Sequence, residues 1–175
     1  MPQTEARKTL KDAPIMWRRI NSIGIILDCN STYASNLGYA KSEILGKPIF
    51  EHVPKESWKT MNDSLKIWFE TGKVTDRKIT FIREDESTFS VLLQATSLYD
   101  ENKNLIGSNT VIFNLSQMSD ENIEKYKEFF NESNQKLDEI KKDGYDKLDK
   151  NSKSEYDGLK EMFQMLSEIN LKQLK

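Results

Sequence analysis

The chain has 175 residues, enough for one domain of ordinary size and an appendage. Charged residues make up 31% and hydrophobic ones 37%, the balance of a soluble chain with a modest core. A formal net charge of −2 provides no field to attract nucleic acid, and no apolar run approaches the roughly 20 residues of a membrane span. The N-terminus lacks the apolar stretch of a secretory signal, and the single cysteine, Cys29, has no partner for an internal disulfide. A cytoplasmic location is the expectation.

Residues 1–13 are polar and are expected to form a flexible, disordered or loosely helical segment. Residues 14–20 read as a first strand, and Asn21-Ser22 supplies turn chemistry. Residues 24–29 carry the β-branched content of a second strand. Ser31–Leu37 reads as a short helix, with Gly38 suited to end it in a left-handed conformation. Ser42 precedes a one-turn helix, Glu43-Ile44-Leu45, closed by Gly46. Residues 54–70 form the longest helix of this half, started by Pro54, with Trp58, Met61, Leu65 and Trp68 on one face. Three strands follow, at 74–83, 88–99 and 105–115, joined by hairpin turns at 84–87 and 100–104. This order implies an α+β fold: an antiparallel sheet whose helices cover one face.

Composition shifts near Ser119. Of residues 120–175, 25 are charged, none is proline and two are glycine. Ser119 caps a helix start, and Asp120 and Glu121 complement its dipole. Ile123, Tyr126, Phe130, Leu137 and Ile140 share a stripe; the register breaks at Asp143-Gly144 and resumes through Tyr145, Leu148, Leu159, Met162, Leu166 and Ile169. A narrow stripe on a highly charged helix is a seam for another helix. The polar interval between Leu148 and Leu159 predicts weak pairing there. Two arrangements fit residues 119–175: a coiled-coil stalk in a dimer, or a hairpin folded at Gly144.

Several positions in residues 14–118 carry a family resemblance. Asn30 ends the second strand, Leu37-Gly38-Tyr39 makes a corner, and Ser42-Glu43-Ile44-Leu45-Gly46 makes a capped turn. Residues 83–87 (Arg-Glu-Asp-Glu-Ser) sit at a hairpin, and Ile106-Gly107 precedes Val111-Ile112-Phe113-Asn114-Leu115-Ser116. In this order and spacing they resemble the PAS sensor domain. The resemblance implies the PAS fold, a five-stranded antiparallel sheet with helices on one face, here followed by the helical extension. Two departures stand out. The exit after the last strand reads Asn-Leu-Ser rather than Asp-Ile-Thr, which puts the family's salt bridge at that joint in doubt. Glu86 replaces the hairpin glycine, so the turn is expected to avoid positive φ.

Candidate sites are few. His52, the one histidine, lies in the loop before the long helix rather than on it, where haem-binding relatives carry their ligand, so His-ligated haem is not expected. Cys29 precedes Asn30 inside a strand, unlike the cysteine of flavin-adduct relatives, and reads as core packing. Neither a metal cluster, a catalytic triad, a glycine-rich phosphate loop nor a phospho-accepting histidine in the tail is apparent. A ligand pocket would be lined by Trp58, Met61, Leu65, Trp68, Phe81, Phe89 and Val91; the same residues also make a filled core. Arg18, Arg19, Arg77, Lys78 and Arg83 alternate between faces and read as solvated sheet surface.

The expected function is a non-enzymatic sensory module. It would bind a small-molecule ligand or partner and relay the change through a joint at Asn114, Ser116 and Ser119 to a C-terminal dimerisation or output segment. A homodimer or a partner protein would engage residues 119–175. Direct nucleic-acid and membrane binding are not expected; a role in transcription or phosphorelay would be indirect. The alternative is a constitutive interaction adaptor with no ligand.

Overall fold

A computed structural model describes residues 5–175. Five strands form one antiparallel sheet: β1 (Met16–Asn21), β2 (Ile26–Cys29), β3 (Lys73–Ile82), β4 (Thr88–Tyr99) and β5 (Leu105–Asn114). Their spatial order is β2-β1-β5-β4-β3, so the first and last strands pair at the centre. There Arg18 lies opposite Thr110 and Arg19 opposite Asn109. Four short helices connect β2 to β3 or precede the sheet: α1 (Glu5–Lys8), α2 (Ser31–Leu37), α3 (Lys41–Ile44) and α4 (Trp58–Thr71). The chain ends in α5 (Asp120–Gly144) and α6 (Lys150–Ser167).

Local chemistry sets these boundaries. Asn30 ends β2 and caps α2: its Oδ1 accepts the amides of Tyr33 and Trp17, and its Nδ2 donates to the Leu10 and Ile15 carbonyls. All four hydrogen-bonding capacities of this buried amide are used. Gly38 closes α2 at φ +81°, as its position predicts. Ser119 caps α5 by accepting from the Asn122 amide.

The sheet separates two apolar cores. On the inner face Met16, Ile20, Phe81, Phe89, Val91, Leu93 and Ile112 pack with residues of α2, α3 and α4. On the outer face Ile15, Trp17, Leu92, Val111 and Phe113 pack with Ile123, Phe130, Leu159, Met162 and Phe163. The helices between β2 and β3 therefore cover one face, as expected, and the C-terminal extension covers the other. That extension is a hairpin. Antiparallel contacts pair Phe129 with Phe163, Tyr145 with Tyr156, and Asp138 with Lys160. The bend follows Gly144, through a 3₁₀ turn at Tyr145–Lys147. Of the polar interval, Glu155 and Tyr156 are buried against the domain.

Two other expectations change. The N-terminal segment is not loose from Glu5 onward: Ala6, Leu10 and Ala13 are buried under the hairpin. Residues 1–4 lie outside the described residues. The β3–β4 turn does use positive φ, with Glu86 at +69°. The Asp85 carboxylate holds the Ser87 amide, and the Arg83 amide reaches the Ser87 carbonyl, so the turn closes around an exposed side chain. The left-handed conformation costs a non-glycine residue about 1 kcal/mol. Glu86→Gly is expected to raise unfolding free energy by about 0.5–1 kcal/mol in chemical denaturation, with no change in m.

Candidate functional site

Strand alternation sends Met16, Arg18 and Ile20 to the inner face and Trp17 and Arg19 to the outer one. Both arginines are buried, at 2% and 5% exposure, so neither is solvated sheet surface. The covering of both faces is the reason.

Arg18 lies at the wall of a small, partly open cavity of about 30 Å³ between α4 and the sheet. Apolar walls come from Ile20, Ile49, Met61, Leu65, Trp68 and Leu93, among others, and the polar side chains lining it are Arg18, Ser64, Ser108 and Thr110. Arg18 Nη1 donates to Tyr33 Oη at 3.1 Å, and Tyr33 Oη lies 2.9 Å from His52 Nδ1. A guanidinium only donates, so the tyrosine accepts from Arg18; its own proton goes to His52 Nδ1 when the imidazole is the tautomer unprotonated there. This polarity requires His52 to be neutral at Nδ1. Burial, and secondarily the Arg18 charge, lower the His52 pKa from 6.5 to about 4. Burial raises the Tyr33 phenol, against the opposing pull of Arg18. Cys29 is pushed up to about 11, chiefly by burial, and is a neutral thiol at pH 7. The Arg18 guanidinium also sits 5.5 Å from the Phe81 ring centre and 5.8 Å from that of Tyr33.

On the opposite face, Arg19 is fully engaged. Its Nη1 and Nη2 donate to the two carboxylate oxygens of Glu155 from α6, and its Nε and Nη2 donate to Asn109 Oδ1 at 2.9 and 2.8 Å. Arg7 approaches the same carboxylate at 3.7 Å. Gly158, one turn further along α6, lets the helix approach the sheet: a Cβ there would lie 2.6 Å from Leu98 Cδ1.

Comparison with known proteins gives this architecture a family. A PAS domain model matches residues 13–117. The chain belongs to the PAS domain family. Among solved structures, a PAS domain from Colwellia psychrerythraea is 18% identical, with a TM-score of 0.57, over 61% of this chain and 91% of that one. A light-oxygen-voltage domain studied with a flavin analogue is 24% identical, with a TM-score of 0.57, over 76% of this chain and 97% of that one. The ethanol-complexed PAS domain of a LuxR-family transcriptional regulator from Burkholderia thailandensis is 18% identical, with a TM-score of 0.54, over 65% and 99%. No curated protein matches the chain. PAS domains are sensory signalling modules and generally not catalysts.

Within this PAS domain, the cavity gathers Met61, Leu65 and Trp68 from the sequence-expected lining. Phe81, Phe89 and Val91 are buried in the same core without lining the cavity. Trp58 turns away: it is 40% exposed, stacks edge-on with Phe50 and donates its Nε1 to the Val53 carbonyl. The sequence reading missed Arg18, Ser108 and Thr110. Arg18 was legible in principle, since Met16 and Ile20 flank it at the period of an apolar strand face. At the joint, Asn114 Oδ1 accepts from the Ser116 amide and hydroxyl, while its Nδ2 donates to Asn36 Oδ1 of α2 at 3.1 Å. An amide pair thus stands where the family's salt bridge was in doubt. Among the described residues, no helix is long and apolar enough to cross a membrane.

Because its folded pKa is depressed, His52 binds a proton more readily when unfolded. Its contribution is complete above pH 6.5 and is lost as pH falls toward 4. The gap between 6.5 and about 4 corresponds to about 3 kcal/mol. Denaturant melts at pH 7.5 and 4.5 should show this loss in the wild type, and a correspondingly smaller loss in His52→Gln.

Proposed function

We propose that this protein is a non-catalytic sensory PAS module whose output element is the α5–α6 hairpin. In the closed form the hairpin lies against the outer sheet face. A signal at the inner cavity, from a small ligand or a partner, shifts the population toward a form with the hairpin released. Release would present the apolar stripe of residues 119–175 for dimerisation or for a partner protein. A signal can do this only to the extent that it binds one form more tightly than the other.

The observation that carries this reading is the adjacency of the two faces. Arg18 and Thr110 look into the cavity, and their chain neighbours Arg19 and Asn109 hold the hairpin. A change in the backbone of β1 or β5 at the cavity therefore reaches the anchor within one residue. The outer interface is also imperfectly satisfied. Trp17 Nε1, Gln94 Oε1, Thr96 Oγ1 and Asn109 Nδ2 are buried there without a partner among the described residues. Each such group costs roughly 1–3 kcal/mol, which offsets part of the apolar burial and keeps docking reversible.

Hydrogen exchange on the full chain tests the reading. Glu155→Ala leaves Arg19 buried without its carboxylate, a loss of about 3–5 kcal/mol. Amides of α5 and α6 should then exchange faster while those of α2 and β4 stay protected. Light scattering should show dimer forming at high concentration. Uniform loss of protection across both halves would reject the hairpin as a separable output element, and a strictly monomeric variant would reject its role in dimerisation.

A further inference from the structure

Two adjacent arginines of β1 are equally buried and unequally satisfied. Arg19 uses its whole fork on Glu155 and Asn109. Arg18 makes a single side-chain hydrogen bond, to Tyr33, its Nε has no partner, and it has no acidic partner among the described residues. Nothing around Arg18 supplies negative charge. His52 and Cys29 are neutral near pH 7 and burial disfavours the Tyr33 phenolate, for the reasons given above. Ring faces of Phe81 and Tyr33 soften the cation without neutralising it. A buried charge without a counter-ion is strongly disfavoured unless something else completes it.

We propose that this partly open cavity is a receptor site for a small monocarboxylate of formate or acetate size, with Arg18 as its anchor. The inference rests on the sensory reading and names its ligand. Several features select this class. A carboxylate matches the planar fork of a guanidinium with two parallel hydrogen bonds and cancels its charge. Thr110, which lines the same cavity, adds a hydroxyl for the remaining lone pairs, and the Ser108 hydroxyl, held by the Asn109 carbonyl at 3.3 Å, adds another if it turns. Ile20, Leu93, Ala95 and Trp68 offer an apolar wall to a methyl group. The volume of about 30 Å³ admits about two water-sized groups, enough for the two oxygens of a carboxylate head, and the pocket is partly open, so a short substituent lies toward its mouth. Phosphate is a poor fit, since it carries more charge and needs more donors than one guanidinium offers.

Calorimetric titration of the full chain, in buffer free of carboxylates, decides the matter. The probes are sodium formate, sodium acetate, acetamide and sodium chloride. Saturable one-to-one binding of formate or acetate is expected, at least tenfold tighter than chloride, with acetamide silent. Arg18→Met, which removes the charge but keeps an unbranched chain, should fold and weaken binding at least tenfold. Arg18→Lys should retain part of it and serves if the methionine variant does not fold. The Trp68 indole ¹H–¹⁵N resonance, from the cavity wall, should shift on carboxylate addition. Equal effects of acetate and acetamide, of acetate and chloride, or of acetate on wild type and the Arg18 variants would overturn the assignment. Hydrogen exchange of α6 during the same titration separates the two proposals. Carboxylate binding without a response in α6 keeps the receptor site and rejects the relay. Absence of binding, with faster exchange in Glu155→Ala, rejects the receptor site and keeps the relay.

Discussion

The bidentate contact between Arg19 and Glu155 joins the two halves of this molecule. It ties the centre of the sheet to α6 across 136 positions of chain, and Asn109 completes the guanidinium from the neighbouring strand. Such a pair contributes little net stability, because each ion loses hydration on burial. What it supplies is register. Apolar contacts among Trp17, Val111, Phe113, Phe130 and Phe163 drive the hairpin onto the sheet, each buried side chain stabilising by roughly 1.5–3 kcal/mol. Those contacts tolerate sliding. A carboxylate that must meet a particular buried fork does not, and Gly158 admits the close approach that the meeting needs.

The same strand carries a second guanidinium facing the other way, and the contrast organises the domain. One arginine is completed by the extension, the other by a tyrosine alone. A sheet only one residue thick separates them, so the inner and outer environments of β1 share one stretch of backbone. Backbone pairing of Arg18 with Thr110 and of Arg19 with Asn109 places both rows on the same two strands. The inner row ends in a cavity and the outer row in an ion pair. A module that responds inside and reports outside needs this proximity, and ordinary strand alternation provides it.

Local punctuation was legible in the sequence and long-range closure was not. Gly38 and Ser119 announced their roles through backbone chemistry confined to a few residues. Asn30 announced where β2 ends, although its bonds to Leu10 and Ile15 depend on the fold. The five-stranded antiparallel sheet was expected from hairpin spacing together with the family pattern. The outer face failed because charged residues on a strand normally mark solvent, and the element that buries Arg19 lies more than a hundred residues away. A weak signal existed. Glu155 falls four residues before Leu159, within the apolar stripe of α6, just as Arg18 falls between Met16 and Ile20. Charges set into an apolar register call for partners; which partner, or whether the partner is a ligand, is decided only in three dimensions. The cavity lining failed differently, since periodicity on α4 named a face but not the sheet residues opposite it.

The joint to the hairpin adds a second physical connection. Helix α2 carries Tyr33, which accepts from Arg18, and Asn36, which accepts from Asn114 at the end of β5. These two residues are three apart, neighbours on one face of a helix. Asn30 fixes the start of α2 and Gly38 its end, so both residues sit on one short helix capped at each end. A displacement of Tyr33 by a ligand at Arg18 would thus be carried to Asn36 and to the turn that launches α5. The sheet route acts on the middle of α6 through Glu155, and the α2 route acts on the first turn before α5. Acting together, they would loosen the hairpin at both of its attachments. Spatial connection alone does not measure coupling. The two routes nevertheless differ in a decisive respect: Asn36 and Asn114 are uncharged, with Asn114 buried and Asn36 only partly so, whereas Glu155 is bound to a buried cation. In the proposed relay the larger energetic lever on the hairpin is therefore the ion pair.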